Sequence, residues 1–352
     1  MRRIIIWLLG ILLVLAIAVG LRLFLPISTA SFANAPHSIA AVERWPINGI
    51  AQTVIIRSRD ISNPILIWLH GGPGSGETPV LRRFNAPLED KYTVVYWDQR
   101  YAGQSYDSSA PLPRNLKIAD YVSDLGVLID GLRARFHQQK VVLVGQSWGT
   151  VLGVLYAQRH PDKVSVYVGI GQVTNTQENE RLSFGFALGE ARRRNDTGAI
   201  AQLKALGPPP RAGSVFTPRD LLEKYGAFSR AGLGLGRLVR LSVTARETNW
   251  RDVAALFGSH NYSDAMLNGE FTHLVLDAGH PAFQVPVFIL AGRYDHISEA
   301  GLAHRFFERL IAPRKEFVWY ENSAHNVNFD EPARFNAFML GEIRPLASAK
   351  PS

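Results

Sequence analysis

The sequence predicts an α/β fold, a mostly parallel central sheet with helices on both faces, interrupted by a helical cap insertion and preceded by one N-terminal transmembrane helix. Three observations predict it. Short β-branched runs alternate with helical patterns along most of the chain. The alternation stops between about Gln172 and Phe283 and then resumes. An uncharged apolar run opens the sequence.

That opening run extends from Ile4 to Leu21, behind Arg2 and Arg3 and ahead of Arg22. A spanning helix needs about 20 apolar residues, whereas the core of a cleaved signal has about 7–15. Length therefore favours a retained single-pass anchor. Small residues at Ser28-Thr29-Ala30 and Ala33-Asn34-Ala35 keep cleavage and secretion open as the alternative. Two arginines before the run against one just after it favour a domain held outside the cytoplasm. Residues 1–35 are thus read as anchor or signal plus linker.

Six runs then have strand character: Ile65 to Leu69, Thr93 to Trp97, Val141 to Val144, Val164 to Ile170, Val287 to Leu290 and Phe317 to Tyr320. They are apolar on both faces, as buried parallel strands are. Between the second and third, Ile118, Tyr121, Val122, Leu125, Leu128, Ile129, Leu132 and Phe136 recur at threes and fours, which predicts one amphipathic helix packed on the sheet. Strand-helix alternation of this kind makes a doubly wound sheet. The break at 172–283 is rich in Arg, Glu and Asn, with Pro208-Pro209-Pro210 and glycines at 232, 234 and 236. Because a strand pattern follows it, the break is read as an insertion over the carboxyl ends of the strands, where open sheets bind ligands. The expected division is 36–171 for the first part of the core, 172–283 for the cap and 284–352 for the second part of the core.

A chain of 352 residues, 47% apolar, can fill a large core and is not a disordered polypeptide. The formal charge of +8 is scattered. Its densest cluster, Arg192-Arg193-Arg194, has no interleaved aromatics and no zinc pattern beside it, so nucleic acid is not an expected partner. The absence of cysteine excludes disulfides, thiolate catalysis and cysteine-held metals.

The chemistry concentrates at Val141 to Thr150, where a strand runs into Gly145-Gln146-Ser147-Trp148-Gly149 and then into a helical pattern. A strand, Gly-x-Ser-x-Gly and a helix form a nucleophile elbow, the mark of the α/β-hydrolase fold, in which a tight turn lifts the serine off the sheet. Ser147 is the candidate nucleophile. In such folds the acid follows a late strand and the histidine comes last. Asp295 closes Val287 to Tyr294, and His325 lies in the loop after the last strand. Asp330 and Glu321 are alternative acids. His296 adjoins Asp295 too closely to bridge it to the serine. Two oxyanion donors are expected: the Trp148 amide and the Gly72 amide, in the His70-Gly71-Gly72-Pro73-Gly74 loop after the first predicted strand.

His70-Gly-Gly-Pro-Gly74, Asp98-Gln99-Arg100-Tyr101-Ala102-Gly103-Gln104-Ser105 and Gly145-Gln-Ser-Trp-Gly149, in that order and spacing, resemble the proline iminopeptidase branch of the α/β-hydrolases. Gly292-Arg-Tyr-Asp295 and Ser323-Ala-His325 extend the resemblance, which covers about Ile65 to Ile170 and Val287 to Phe338. It implies an aminopeptidase that releases N-terminal proline, uses neither metal nor organic cofactor, and holds the substrate's free amine with acidic cap residues. Glu178 and Glu180 are the candidates for that role, and a small peptide or acyl compound is the expected substrate. Tyr101 stands where the family has glycine, and Gln146 replaces the second of two glycines before the serine. The triad serves an esterase or amidase of small acyl substrates equally well. A noncatalytic, membrane-tethered binding protein on the same scaffold is the alternative from another class.

Overall fold

The computed structural model describes residues 2–107, 109, 116–209, 216–250, 252, 255 and 269–347. Eight strands form one sheet: β1 (Ile39–Ile47), β2 (Ile50–Ser58), β3 (Ile65–Leu69), β4 (Thr93–Asp98), β5 (Val141–Gln146), β6 (Val164–Ile170), β7 (Val287–Gly292) and β8 (Lys315–Tyr320). Their order is β1-β2-β4-β3-β5-β6-β7-β8. β1 and β2 pair antiparallel, β2 runs antiparallel to β4, and β3 to β8 are parallel. All six strands expected from the sequence are present.

Alternation of side chains across the sheet makes two cores. Ile65, Ile67 and Leu69 of β3 face one apolar cluster, and Leu66 and Trp68 face the other. The first cluster is completed by α3 (Ile118–Phe136) and α4 (Trp148–Arg159), the second by residues of α2 (Thr78–Asn85). The predicted helical stripe is α3, and seven of its eight apolar positions are buried, Phe136 only partly. Each fully buried Leu, Ile or Phe contributes about 1.5–3 kcal/mol.

The hairpin β1–β2 has no counterpart among the six predicted runs. Its turn is Asn48-Gly49, with φ of 46° and 79°, between paired Ile47 and Ile50. That is the two-residue turn whose left-handed positions favour Asn-Gly, so the dipeptide carried the signal. The hairpin is tied down by Asp124 on α3, a buried carboxylate that accepts from Arg100 Nε and Nη2 (both 2.6 Å), Gln52 Nε2 (2.6 Å) and Asn48 Nδ2 (2.8 Å).

Between β6 and β7 lie α5 (Thr176–Arg193), α6 (Thr197–Leu206), α7 (Arg219–Lys224) and α8 (Leu235–Val243). Asn175 caps α5 and Asp196 caps α6 with their side chains. Phe184, Ala187, Leu203, Leu222 and Tyr225 form a separate small core there.

The N-terminal α1 (Arg2–Phe24) exposes apolar side chains, among them Trp7 and Leu13. Among the described residues, however, no helix is long and apolar enough to cross a membrane. The expected spanning segment is therefore not found. The side chains of Ile4, Ile6, Val19, Arg22 and Leu23, all within or beside it, lie outside those described.

Candidate active site

The site forms at the carboxyl edge of β5 to β8. Ser147 sits between β5 and α4 with φ 52° and ψ −120°, a left-handed conformation that costs a non-glycine residue on the order of 1–3 kcal/mol. The turn is held from both sides. A methyl on Gly145 would meet the Gly149 carbonyl oxygen at 2.6 Å, and one on Gly149 would lie 2.0 Å from the Leu69 oxygen. The motif's glycines are thus required by backbone packed on backbone. The Ser147 amide donates to the Ile170 carbonyl at 2.9 Å, which fixes the elbow to the end of β6.

Asp295 and His325 are brought together after β7 and β8. His325 Nδ1 is 2.9 Å from Asp295 Oδ2, and both residues are buried. Asp295 Oδ1 accepts from the amides of Ile297 and Ser298, each at 2.9 Å. With its other oxygen occupied in this way, the carboxylate is oriented to receive Nδ1–H, which leaves Nε2 as an acceptor. Gly171, at φ 56° just beyond β6, makes room for this pair: a methyl there would lie 2.8 Å from the His325 ring and 3.3 Å from Asp295 Oδ2. The loops of β7 and β8 are pressed together, since a Cβ on Gly292 would stand 2.1 Å from the Ala324 oxygen.

The alternative acids have other partners. Asp330 accepts from the amides of Ala324, Arg230 and Ala231 and from Ser229 Oγ, joining the histidine loop to the insertion. Glu321 pairs with Arg293 on the surface. His296 stacks on Phe186 at 3.8 Å and contacts Glu299.

The loop carrying Gly72 lies against the elbow, because a methyl on Gly71 would be 3.3 Å from Ser147 Cβ. Gly72 has φ 108°, and a side chain there would strike the Gly74 amide nitrogen at 2.7 Å. Gln99, to which the sequence assigned no role beyond its place in the Asp98–Ser105 motif, joins this loop to Trp148. Its amide donates to His70 Nε2 (3.1 Å), its Nε2 to the His70 carbonyl (3.2 Å), and its Oε1 accepts from Trp148 Nε1 (2.9 Å). Burial lowers the His70 pKa to about 4, in keeping with a neutral ring whose Nε2 accepts. Gln146, the departure from the usual glycine pair, donates to Asn326 Oδ1 at 2.6 Å and so ties the elbow to the residue after His325. Such contacts join residues far apart in sequence, and no local pattern announces them.

The two candidate amine-binding residues are engaged elsewhere. Glu180 is buried, pairs with Arg219 (Nη2 to Oε1, 2.7 Å), and accepts from the Thr217 amide at 2.8 Å. Glu178 forms an (i, i+3) pair with Arg181 at 2.8 Å on the α5 surface. Neither has been brought to Ser147 by any contact. Among the described residues, no cluster of three or more His, Asp or Glu could hold a metal ion.

Residues 64–332 match the family of the α/β-hydrolase fold. The chain is similar to the probable aminopeptidase YbaC of Bacillus subtilis, 29% identical over 307 residues, spanning 85% of this chain and 94% of that protein. It also resembles the proline iminopeptidase of Xylella fastidiosa, 42% identical over 105 residues, which is 30% of this chain and 31% of that enzyme. In fold it is similar to proline iminopeptidase from Mycobacterium smegmatis, with a TM-score of 0.63, 16% identity, and coverage of 87% of this chain and 99% of that one. An esterase from Exiguobacterium antarcticum also shares the fold, with a TM-score of 0.55, 16% identity, and coverage of 87% and 100%. The chain belongs to the α/β-hydrolase family, as an enzyme of that class whose sequence relatives are aminopeptidases and proline iminopeptidases.

Proposed function

We propose that the protein is a serine aminopeptidase that releases N-terminal proline or a similar small residue from peptides through an acyl-enzyme. The observation that carries this reading is the buried His325–Asp295 contact at the same sheet edge as the strained Ser147 elbow. The likeness to YbaC supports the aminopeptidase half.

In this mechanism His325 Nε2 takes the Ser147 proton as Oγ attacks the scissile carbonyl carbon. Asp295 holds Nδ1–H and stabilises the imidazolium that forms. The oxygen of the tetrahedral intermediate is received by the Trp148 and Gly72 amides, each such donor contributing on the order of 3 kcal/mol. His325 returns the proton to the leaving amine as the C–N bond breaks. Water, deprotonated by the same ring, then releases the acyl group from Ser147. Residues 172–283 act as a cap over this edge, consistent with the hydrogen bonds that join Ser229 to Ala231 with Asp330.

The test compares prolyl p-nitroanilide, its N-acetylated form and a short acyl ester, with Ser147→Ala as control. Release of proline that fails on the blocked amine supports the aminopeptidase. Turnover of the ester alone sinks it in favour of an esterase. We further propose that α1 associates with a membrane and holds the enzyme outside the cytoplasm, since it exposes a row of large apolar side chains. Full-length protein partitioning with membranes, and its release on deletion of residues 1–35, is the expected outcome, and a full-length protein that stays soluble overturns it.

A further inference from the structure

The carboxyl group of Glu77 lies beside the candidate nucleophile. Glu77 ends the loop that begins at His70, immediately ahead of α2. The Gly71 amide donates to its carboxyl. A methyl on Gly71 would lie 3.2 Å from Glu77 Oε1 and 3.3 Å from Ser147 Cβ, so that carboxyl oxygen and the serine stand against the same glycine. Oε2 is buried with no hydrogen-bond partner, and among the described residues no other carboxyl oxygen is in that state. Glu77 also borders a small recess among Trp68, Leu81 and Trp97, whose other titratable groups are His70, Tyr96 and Asp98. None is a cation: His70 is held neutral by burial, and burial together with Asp252 pushes Asp98 up to about 8. Burial raises Glu77 to about 7, opposed by the Gly71 amide and by no positive charge.

A buried carboxyl oxygen without a hydrogen-bond partner is costly, and such groups are kept where a ligand completes them. The ligand chemistry follows from the reaction. In an N-terminal residue the ammonium nitrogen sits on the carbon bonded to the scissile carbonyl. The group that recognises it must therefore stand next to both the serine and the loop that receives the carbonyl oxygen. Glu77 meets this condition, whereas Glu178 and Glu180 are bound to arginines. We propose that Glu77, in the core loop rather than in the cap, receives the free amino terminus of the substrate, accepting an ammonium N–H on its carboxyl group. Glu77 is then a specificity-determining residue of the aminopeptidase reading and rests on it.

The experiment measures kcat/KM for prolyl p-nitroanilide and for an amine-free acyl ester, in wild type and Glu77→Gln. Fluorophosphonate labelling of Ser147 verifies that the site is assembled. The ratio of free-amine to amine-free kcat/KM is expected to fall about 10- to 100-fold in the variant, mainly through KM, the range for one hydrogen bond to a charged group. A labelled variant with an unchanged ratio overturns the proposal and leaves the peptidase reading standing. Wild-type enzyme that cleaves the ester alone overturns both. Should Glu77→Gln fail to label, wild type still decides. As pH falls from about 8 to about 6, protonation of Glu77 should raise KM for the prolyl substrate relative to the ester. A KM ratio that stays flat over that range rejects Glu77.

Discussion

The carboxyl edge of the sheet and the start of the insertion place carboxylates by opposite means. At the edge, Asp295 is fixed by two backbone amides on its own loop, and the glycines at 149, 171 and 292 leave the surrounding backbones no other arrangement. At the start of α5, Glu178 and Glu180 find their partners among long side chains: Arg181 three residues on, and Arg219 from the next part of the insertion. Backbone anchoring ties a residue's role to local sequence. Side-chain anchoring makes it depend on what else folds nearby, so the same acidic pair can be a binding site in one relative and an internal strut in another.

If that contrast is right, substitutions at the edge should act on chemistry far more than on stability. The largest effect is expected from Ser147→Ala, which should lower kcat by about 10⁴-fold or more while leaving the melting temperature near that of wild type, because relief of the positive φ is not part of the change. A variant retaining a tenth of wild-type turnover would remove Ser147 from the mechanism. Gly171→Ala comes next. Its methyl would lie 2.8 Å from the His325 ring, and a displacement of about 1 Å at a reacting group costs on the order of 10²-fold in rate. Wild-type kcat in Gly171→Ala would show that the ring does not need its observed position.

Asp124 tests the other side of the comparison, a buried carboxylate held by side chains. Asp124→Ala strands Arg100, together with the donors of Gln52 and Asn48, and should destabilise the fold by about 3–5 kcal/mol in chemical denaturation. The effect on kcat of the folded fraction should be small by comparison. A larger loss in kcat than in stability would mean that this network serves the site directly.

The same difference decides how much was legible in the sequence. The six parallel strands, α3 and the order Ser147, Asp295, His325 follow from period, from glycines at a tight turn and from position after strands. These are local properties of the chain. Gln99 joining His70 to Trp148, and Gln146 joining Asn326, are contacts between loops that only the assembled sheet brings together. The place of Glu77 was not legible, because nothing in Gly74-Ser75-Gly76-Glu77 shows that one of its carboxyl oxygens is buried without a partner. The β1–β2 hairpin was legible in Asn48-Gly49, but β1 is only partly buried, and the buried run of β2 is broken by the polar Gln52, Thr53, Arg57 and Ser58.

A pH effect sharpens the view that buried carboxyls in this region are held by packing. Burial and Asp252 push Asp98 up to about 8, and burial pushes Asp252 up to about 6. Both exceed the unfolded value near 4, so the folded state keeps protons that the unfolded chain releases. Their contribution is fully present below about pH 4 and is lost as pH rises through the folded values. Melting temperature should therefore drift down between pH 5 and 8, and Asp98→Asn, which still accepts from the Gln104 amide, should flatten that drift. An equally steep drift in the variant would assign it to other groups.

The smallest effects separate the two cap acids. Glu178→Gln breaks a surface pair of the kind that seldom stabilises measurably, and its melting temperature should match wild type within error. Glu180→Gln removes charge from a buried group with Arg219 and Thr217 on it and should cost about 1–3 kcal/mol. Neither should alter the preference for free over acetylated amines, since both carboxylates already have partners. A loss of that preference in either variant, with Ser147 still labelled, would mean that substrate displaces an arginine from the cap acid on binding. The contrast between backbone-held and side-chain-held carboxylates would then mark a site that rearranges rather than one that is filled.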